Sequence, residues 1–225
     1  MTSLFGETKR LGRYKRFRML GKELNSSLIR RVPKPAILKC GKKLGLVKGK
    51  TLVLGSEDEL SVLFDYCLYS YRRNGKNAIQ RYLEQSPPPV DSEQMVLLQA
   101  MCKAYYSLFA VEKIHTEKGA TMKDLLMNHC FVLMDIGIGE TALPGMIFAG
   151  RVLPFEDFSI TSGTFIPVDR DLMESDILPV VERLFQGKKD GDALLTPGQE
   201  ATFSGQIIRA AVRAGIFDRI EYSDI

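Results

Sequence analysis

The sequence predicts an α+β protein with an N-terminal helical region, a central small antiparallel β-sheet or barrel-like domain, and C-terminal helices. Three observations carry this expectation. Up to about residue 110, apolar residues recur at steps of three and four. From about 111 to 168, β-branched and aromatic residues run in short alternating stretches broken by glycine and proline. Helix-start signals return after that. Four segments follow: a basic amphipathic helical region 1–55, a helical bundle 56–110, a small antiparallel β region 111–168 and C-terminal helices 169–225. At 225 residues, 45% of them hydrophobic, the chain can bury a substantial core.

In the first segment Tyr14, Phe17, Leu20, Leu24 and Leu28 form one helical stripe, flanked by Arg13, Lys15, Arg16, Arg18 and Lys22. Pro33 and Pro35 break that helix and restart the chain. A short second helix carries Ile37, Cys40 and Leu44, and Gly45 stands where a left-handed C-cap belongs. A helix-turn-helix over Pro35 to Leu54 is not expected, because VKGKTLVL is short, contains Gly49 and is β-rich.

Ser56 and Glu59 form a capping box ahead of Leu60, Leu63, Phe64, Cys67, Leu68 and Tyr71, the plainest helical pattern in the chain. Asn74-Gly75 stops this helix. A short one carries Ile79, Tyr82 and Leu83, and Pro87-Pro88-Pro89 enforces an extended connection. Asp91 with Gln94 is expected to cap a third helix whose apolar face is Leu98, Met101, Cys102, Tyr105, Leu108 and Phe109. Four to six short antiparallel strands are then expected between Val111 and Val168. Helix resumes near Ser175 to Gln186, a polar loop GKKDGD follows, and Thr196-Pro197-Gly198-Gln199 opens a final helix through Ile207, Ile208, Ala211 and Val212.

Several function classes find no support. The apolar runs FVLMDI and PGMIFAG fall far short of the roughly 20 residues of a membrane-spanning helix, and no h-region follows the positive start, so Sec-type export is not expected. An Arg-rich amphipathic start also fits an organellar transit peptide, but the bacterial cytoplasm is the simpler setting. Cys40, Cys67, Cys102 and Cys130 are too widely spaced for a CxxC pair, with only His115 and His129 as imidazoles, so neither a metal nor a cofactor is expected. Cys67 and Cys102 fall on apolar helical faces. His129 and Cys130 are neighbours and point apart on a strand, with His129 expected at a loop and Cys130 inward.

Gly137-Ile138-Gly139-Glu140-Thr141-Ala142 follows the strand-like FVLMDI, with Asp157 twenty residues beyond Gly137, and so has the wording of a dinucleotide fingerprint. The mechanism fails, because Pro144-Gly145 would break the long helix that must hold the pyrophosphate, and a loop between strands is the better expectation. An enzyme with a site in the β region around Asp135, Glu140, Arg151 and Thr161 stays open, although no constellation there dictates a reaction class.

Charge has the most functional content. Residues 1–50 hold fifteen Lys or Arg against Glu7 and Glu23, while the remainder is net acidic, with sixteen basic and twenty-five acidic residues. Clustered cations release counterions from a phosphate backbone and so bind nucleic acid without a fixed motif. Arg10, Arg13, Lys15, Arg16, Arg18 and Lys22 would form one contact line, and Lys39, Lys42 and Lys43 on the next helix a second. Arg72, Arg73 and Lys76 could extend this surface. The leading expectation is a non-enzymatic accessory protein that binds nucleic acid, RNA favoured. The alternatives are docking of the basic helix on the acidic remainder of its own chain, on an acidic protein partner or on a second subunit of a homo-oligomer, and attachment to an anionic membrane surface.

The segments LGRYKRFRMLGKELNSSLIRRVPK, DELSVLFDYCLYSYRRNGKNAIQRYL and PGMIFAGRVLPFEDFSITSGTFIPVD resemble an uncharacterised family of bacterial proteins. Some members of that family carry a cysteine-rich metal-binding tail, which has no counterpart in this sequence, so the resemblance implies no metal role here. It implies a bacterial cytoplasmic setting and leaves the activity open.

Overall fold

A computed structural model describes residues 4–116, 118–186 and 195–219; the GKKDGD loop lies outside the described residues. Helix α1 (Leu4–Ile29) buries Tyr14, Phe17, Leu24 and Leu28 as the stripe requires. Helix α2 (Lys34–Leu44) begins after Pro33 and ends on Gly45, whose φ of 83° is the left-handed cap that glycine adopts freely. Strands β1 (Val47–Lys48) and β2 (Thr51–Leu52) make the small hairpin that replaces any recognition helix. Helix α3 (Glu57–Tyr69) forms half of the expected capping box: Glu59 N–H donates to the Ser56 hydroxyl, but the Glu59 carboxylate accepts from Gly55 N–H, one residue before the cap, instead of from Ser56. Helix α4 (Ala78–Gln85) is capped by Asn77 with Gln80.

Helix α5 (Glu93–Cys102) corrects two expectations. Ser92 caps it instead of Asp91, with Met95 N–H donating to the Ser92 hydroxyl at 3.1 Å. It also stops at Cys102, so that Tyr105, Leu108 and Phe109 lie on strand β3 (Tyr105–His115) and Cys102 is exposed. The physical reason is pairing. YYSLFAVEKIH is aromatic and β-branched, and it forms ladders with two partner strands, which outweighs a spacing that also fits a helix.

The β region is a barrel of β3, β4 (Gly119–Asp124), β5 (His129–Met134), β6 (Ile147–Pro154) and β7 (Ser159–Val168), closed in the order β3-β4-β5-β7-β6. Neighbours are antiparallel except β5 and β7, which meet in parallel at Leu133 and Ser159. That contact departs from the all-antiparallel expectation and follows from closure. Strand β6 runs against β3 and β7 against β6, so β7 takes the direction of β5.

Between β5 and β6 the GxGxxA segment forms α6 (Ile136–Thr141) rather than a loop, capped by Asp135, which accepts from Ile138 N–H at 3.2 Å. Its glycines serve packing. A Cβ on Gly139 would lie 2.7 Å from the backbone nitrogen of Gly119, and one on Gly119, where φ is 144°, would lie 2.0 Å from the Leu133 carbonyl oxygen.

Two cores result. Phe109, Val111, Ala120, Met122, Leu133, Phe148 and Val152 fill the barrel, joined by Ile138 and Ala142 of α6. The larger core joins the helices to the outer barrel face through Tyr106, Leu108, Ala149, Leu153 and Ile160. Strand alternation assigns the faces: Phe148 and Val152 point inward, Ala149, Arg151 and Leu153 outward. The chain closes with α7 (Arg170–Leu172), a π-helical turn (Met173–Ile177), α8 (Leu178–Phe185), α9 (Pro197–Arg213) and a 3-10 turn (Ile216–Arg219). Thr196 and Gln199 form the expected box at the start of α9. No helix among the described residues is long and apolar enough to cross a membrane.

Gly119→Ala combines a strained φ with a backbone collision and is expected to cost about 3 kcal/mol, read as a lower urea midpoint at unchanged slope. Gly163→Ala, with no atom within 4 Å of the added carbon, is the matched control and leaves the midpoint close to wild type.

Candidate nucleic-acid interface

The nine cations singled out from the sequence divide into two groups. Four guanidiniums of α1 are committed within the molecule. Arg10 donates to Asp157 at 2.9 Å and Arg13 to the same carboxylate at 3.4 Å. Arg16 reaches Glu93 at 2.9 Å, and Arg18 donates to the carbonyl and hydroxyl oxygens of Thr161 at 3.2 and 3.3 Å. Their anchorage is aromatic as well as ionic. Phe17 stacks on Phe155 at 4.6 Å, and the Arg13 guanidinium lies 5.6 Å from the ring centres of both Phe17 and Phe158. The exposed ion pairs contribute at most about 1 kcal/mol each, so the buried ring of Phe17, about 2–3 kcal/mol, does more to hold α1 on the barrel.

Five amines face outward. Lys15 and Lys22 are exposed on α1, and Lys39, Lys42 and Lys43 on α2, opposite its buried Ala36, Cys40 and Leu44. Lys34 begins the same helix, and Lys48 and Lys50 are exposed on the hairpin that packs against it. None of Lys39, Lys42 and Lys43 pairs with a carboxylate among the described residues. Gly41 makes this arrangement compact, since a Cβ there would meet Leu52 of the hairpin at 2.7 Å. Of the further cations, Lys76 pairs with Glu84 and Arg72 turns back to the Gly75 carbonyl and Gln80, which leaves Arg73 exposed.

The residues considered for an enzyme are only partly brought together. Thr161 donates to Asp135 at 2.8 Å beside a cavity of about 410 Å³ between α1, α3, α5 and the barrel. Glu140 is exposed on α6 and does not line that cavity. Because the Thr161 hydroxyl also receives Arg18, it is tied on both sides and forms a structural link. His129 and Cys130 are both exposed, which corrects the inward placement of Cys130.

Arg151 has a different role from the one considered for it. It is 1% exposed on the outer face of β6, where Nε donates to Asp65 of α3 at 3.2 Å and Nη1 to Glu200 of α9 at 2.5 Å. The rings of Tyr69 and Tyr106 lie 4.5 and 5.7 Å from its guanidinium carbon. Ser162 completes the cluster by donating to the second Asp65 oxygen. Burial alone would push the guanidinium down, but the two carboxylates more than offset it and raise it above its ordinary value. The signal for this anchor was a single charge inside the apolar strand IFAGRVLP.

The barrel closes in the order β3-β4-β5-β7-β6 with α6 between its third and fourth strands, the connectivity of an OB-type barrel, here built into a helical frame. Residues 8–194 match a family of unknown function (DUF7986), and the chain belongs to that family. No curated protein and no solved structure matches it.

Two outcomes are expected of this arrangement. Arg151→Met strands two partly buried carboxylates and should lower the unfolding free energy by about 3–5 kcal/mol in urea. At alkaline pH, burial pushes Tyr66 up to about 12 from an ordinary 10.0 and also raises Tyr69, Tyr105 and Tyr106. A raised folded value means that stability is intact below pH 10 and falls as pH climbs from 10 through about 12. Tyrosinate absorbance should therefore rise in two stages, the second coinciding with unfolding.

Proposed function

We propose that this protein is a non-enzymatic accessory factor that binds single-stranded nucleic acid, RNA first, through the lysine face of α2 and the adjoining hairpin. The observation that carries it is the exposure of Lys39, Lys42 and Lys43 on one helix face without carboxylate partners among the described residues, beside Lys48 and Lys50. Unpaired amines retain their full attraction for phosphates, whereas Arg10, Arg13 and Arg16 would first have to give up an ion pair.

Docking on an acidic protein is the second reading. Leu38, exposed between these lysines, favours it, since an apolar residue within a cationic face suits a protein surface better than a phosphate backbone.

Fluorescence anisotropy with a labelled single-stranded RNA across a salt series tests the proposal. With five lysines each neutralising one phosphate at a slope of about −0.7, raising salt from about 50 to about 200 mM weakens binding roughly 100-fold. Replacing Lys39, Lys42 and Lys43 together by Gln should make that slope shallower by about 2 and leave the fold intact by circular dichroism. An affinity indifferent to salt, or unchanged in the triple variant, overturns the proposal.

A further inference from the structure

The buried arginine of β6 leaves one nitrogen over. Nε and Nη1 of Arg151 are taken by Asp65 and Glu200, whereas Nη2 is buried without an acceptor. Arg72, just past α3, shows the same pattern. Its Nη1 donates to the Gly75 carbonyl at 2.9 Å and to Gln80 at 3.1 Å, while its Nε is buried and unpartnered. Both side chains line one cavity of about 220 Å³, together with Asn77, Gln80 and Glu200. An unpaired buried N–H of a charged group costs about 1–3 kcal/mol or more, and two such groups converge on one space.

We infer that this cavity is a binding site for a compact oxyanion, a carboxylate or a phosphate, held by the Nε of Arg72 and the Nη2 of Arg151. Donor geometry, rather than net charge, favours an oxyanion: Arg72 and Arg151 against Asp65 and Glu200 sum to zero, but two buried guanidinium N–H groups lining one space call for a ligand with two acceptor oxygens. Glu200 also lines the space, but its Oε1 is spent on Arg151, which directs the anion toward the Arg72 side. Guanidinium N–H groups match the planar acceptor geometry of a carboxylate and the oxygens of a phosphate.

Size is compatible with a small acid, since the space measures about 220 Å³. Met101, Ala104, Leu195 and Pro197 give the remaining wall an apolar character that suits a short carbon body. The site is independent of the lysine face, since none of the α2 or hairpin lysines lines it.

Titration of the full chain with acetate, pyruvate and inorganic phosphate, followed through the arginine Nε–Hε resonances and the thermal midpoint, tests the inference. A saturable shift of the Arg72 and Arg151 signals by at least one probe is expected. Arg72→Gln should weaken the responding probe at least tenfold, while the triple lysine variant should leave it unchanged. Carboxylates acting without phosphate, or the reverse, identifies which oxyanion the site takes. Signals that do not move, that move without saturating, or that respond equally in Arg72→Gln overturn the inference.

Discussion

The structure depends on the rule that a charge buried between packed layers must be paired. Arg151 stands where the barrel meets the helical frame, and three separate elements converge on it: Asp65 from α3, Glu200 from α9 and the ring of Tyr106 from β3. Apolar side chains in place of Arg151, Asp65 and Glu200 together could fill the same volume with less desolvation, so the ion cluster contributes orientation more than net stability. With β6, α3 and α9 in register, Asp65 can hold Ser162 and the apolar residues Ala149 and Leu153 can seal the layer. The same rule acts more gently at the surface, where Asp157 and Glu93 draw the arginines of α1 onto the barrel loop and α5.

This pairing changes the meaning of the charge asymmetry. Counted along the chain, the first fifty residues look like one cationic surface. In three dimensions the guanidiniums and the amines part company. Arginine, with its planar fork and weak hydration, is used for the partly buried contacts of α1, whereas lysine, compact and strongly hydrated, stays in water on α2 and the hairpin. What remains for a polyanion is therefore a smaller surface, centred one helix later.

The local features were legible where local chemistry decides them. The caps at Ser56 and Thr196, the break at Pro33 and the left-handed Gly45 follow from side-chain hydrogen bonds and backbone freedom within a few residues. The stripe of Tyr14, Phe17, Leu24 and Leu28 likewise predicted its own burial. Partners distant in sequence were not legible. Tyr105, Leu108 and Phe109 fit helical spacing until β4 and β6 are present to pair with β3, and barrel closure rests on β5 meeting β7 across an intervening helix and strand. The glycines of the GxGxxA segment were noticed for the wrong chemistry, since their function is to let α6 approach Gly119. The pairing of Arg10 and Arg13 with Asp157, more than 140 residues away, has no local signature.

The central claim is that the amines of α2 and the hairpin, rather than the arginines of α1, are the cations available to a polyanion. Amine-reactive labelling of the folded protein, read by mass spectrometry with and without single-stranded RNA, tests it most directly. Protection of Lys39, Lys42, Lys43, Lys48 and Lys50, with Lys123 on the barrel labelled at an unchanged rate, is the result this account predicts. Uniform labelling in both conditions, or protection confined to Lys15 and Lys22 on α1, would contradict it.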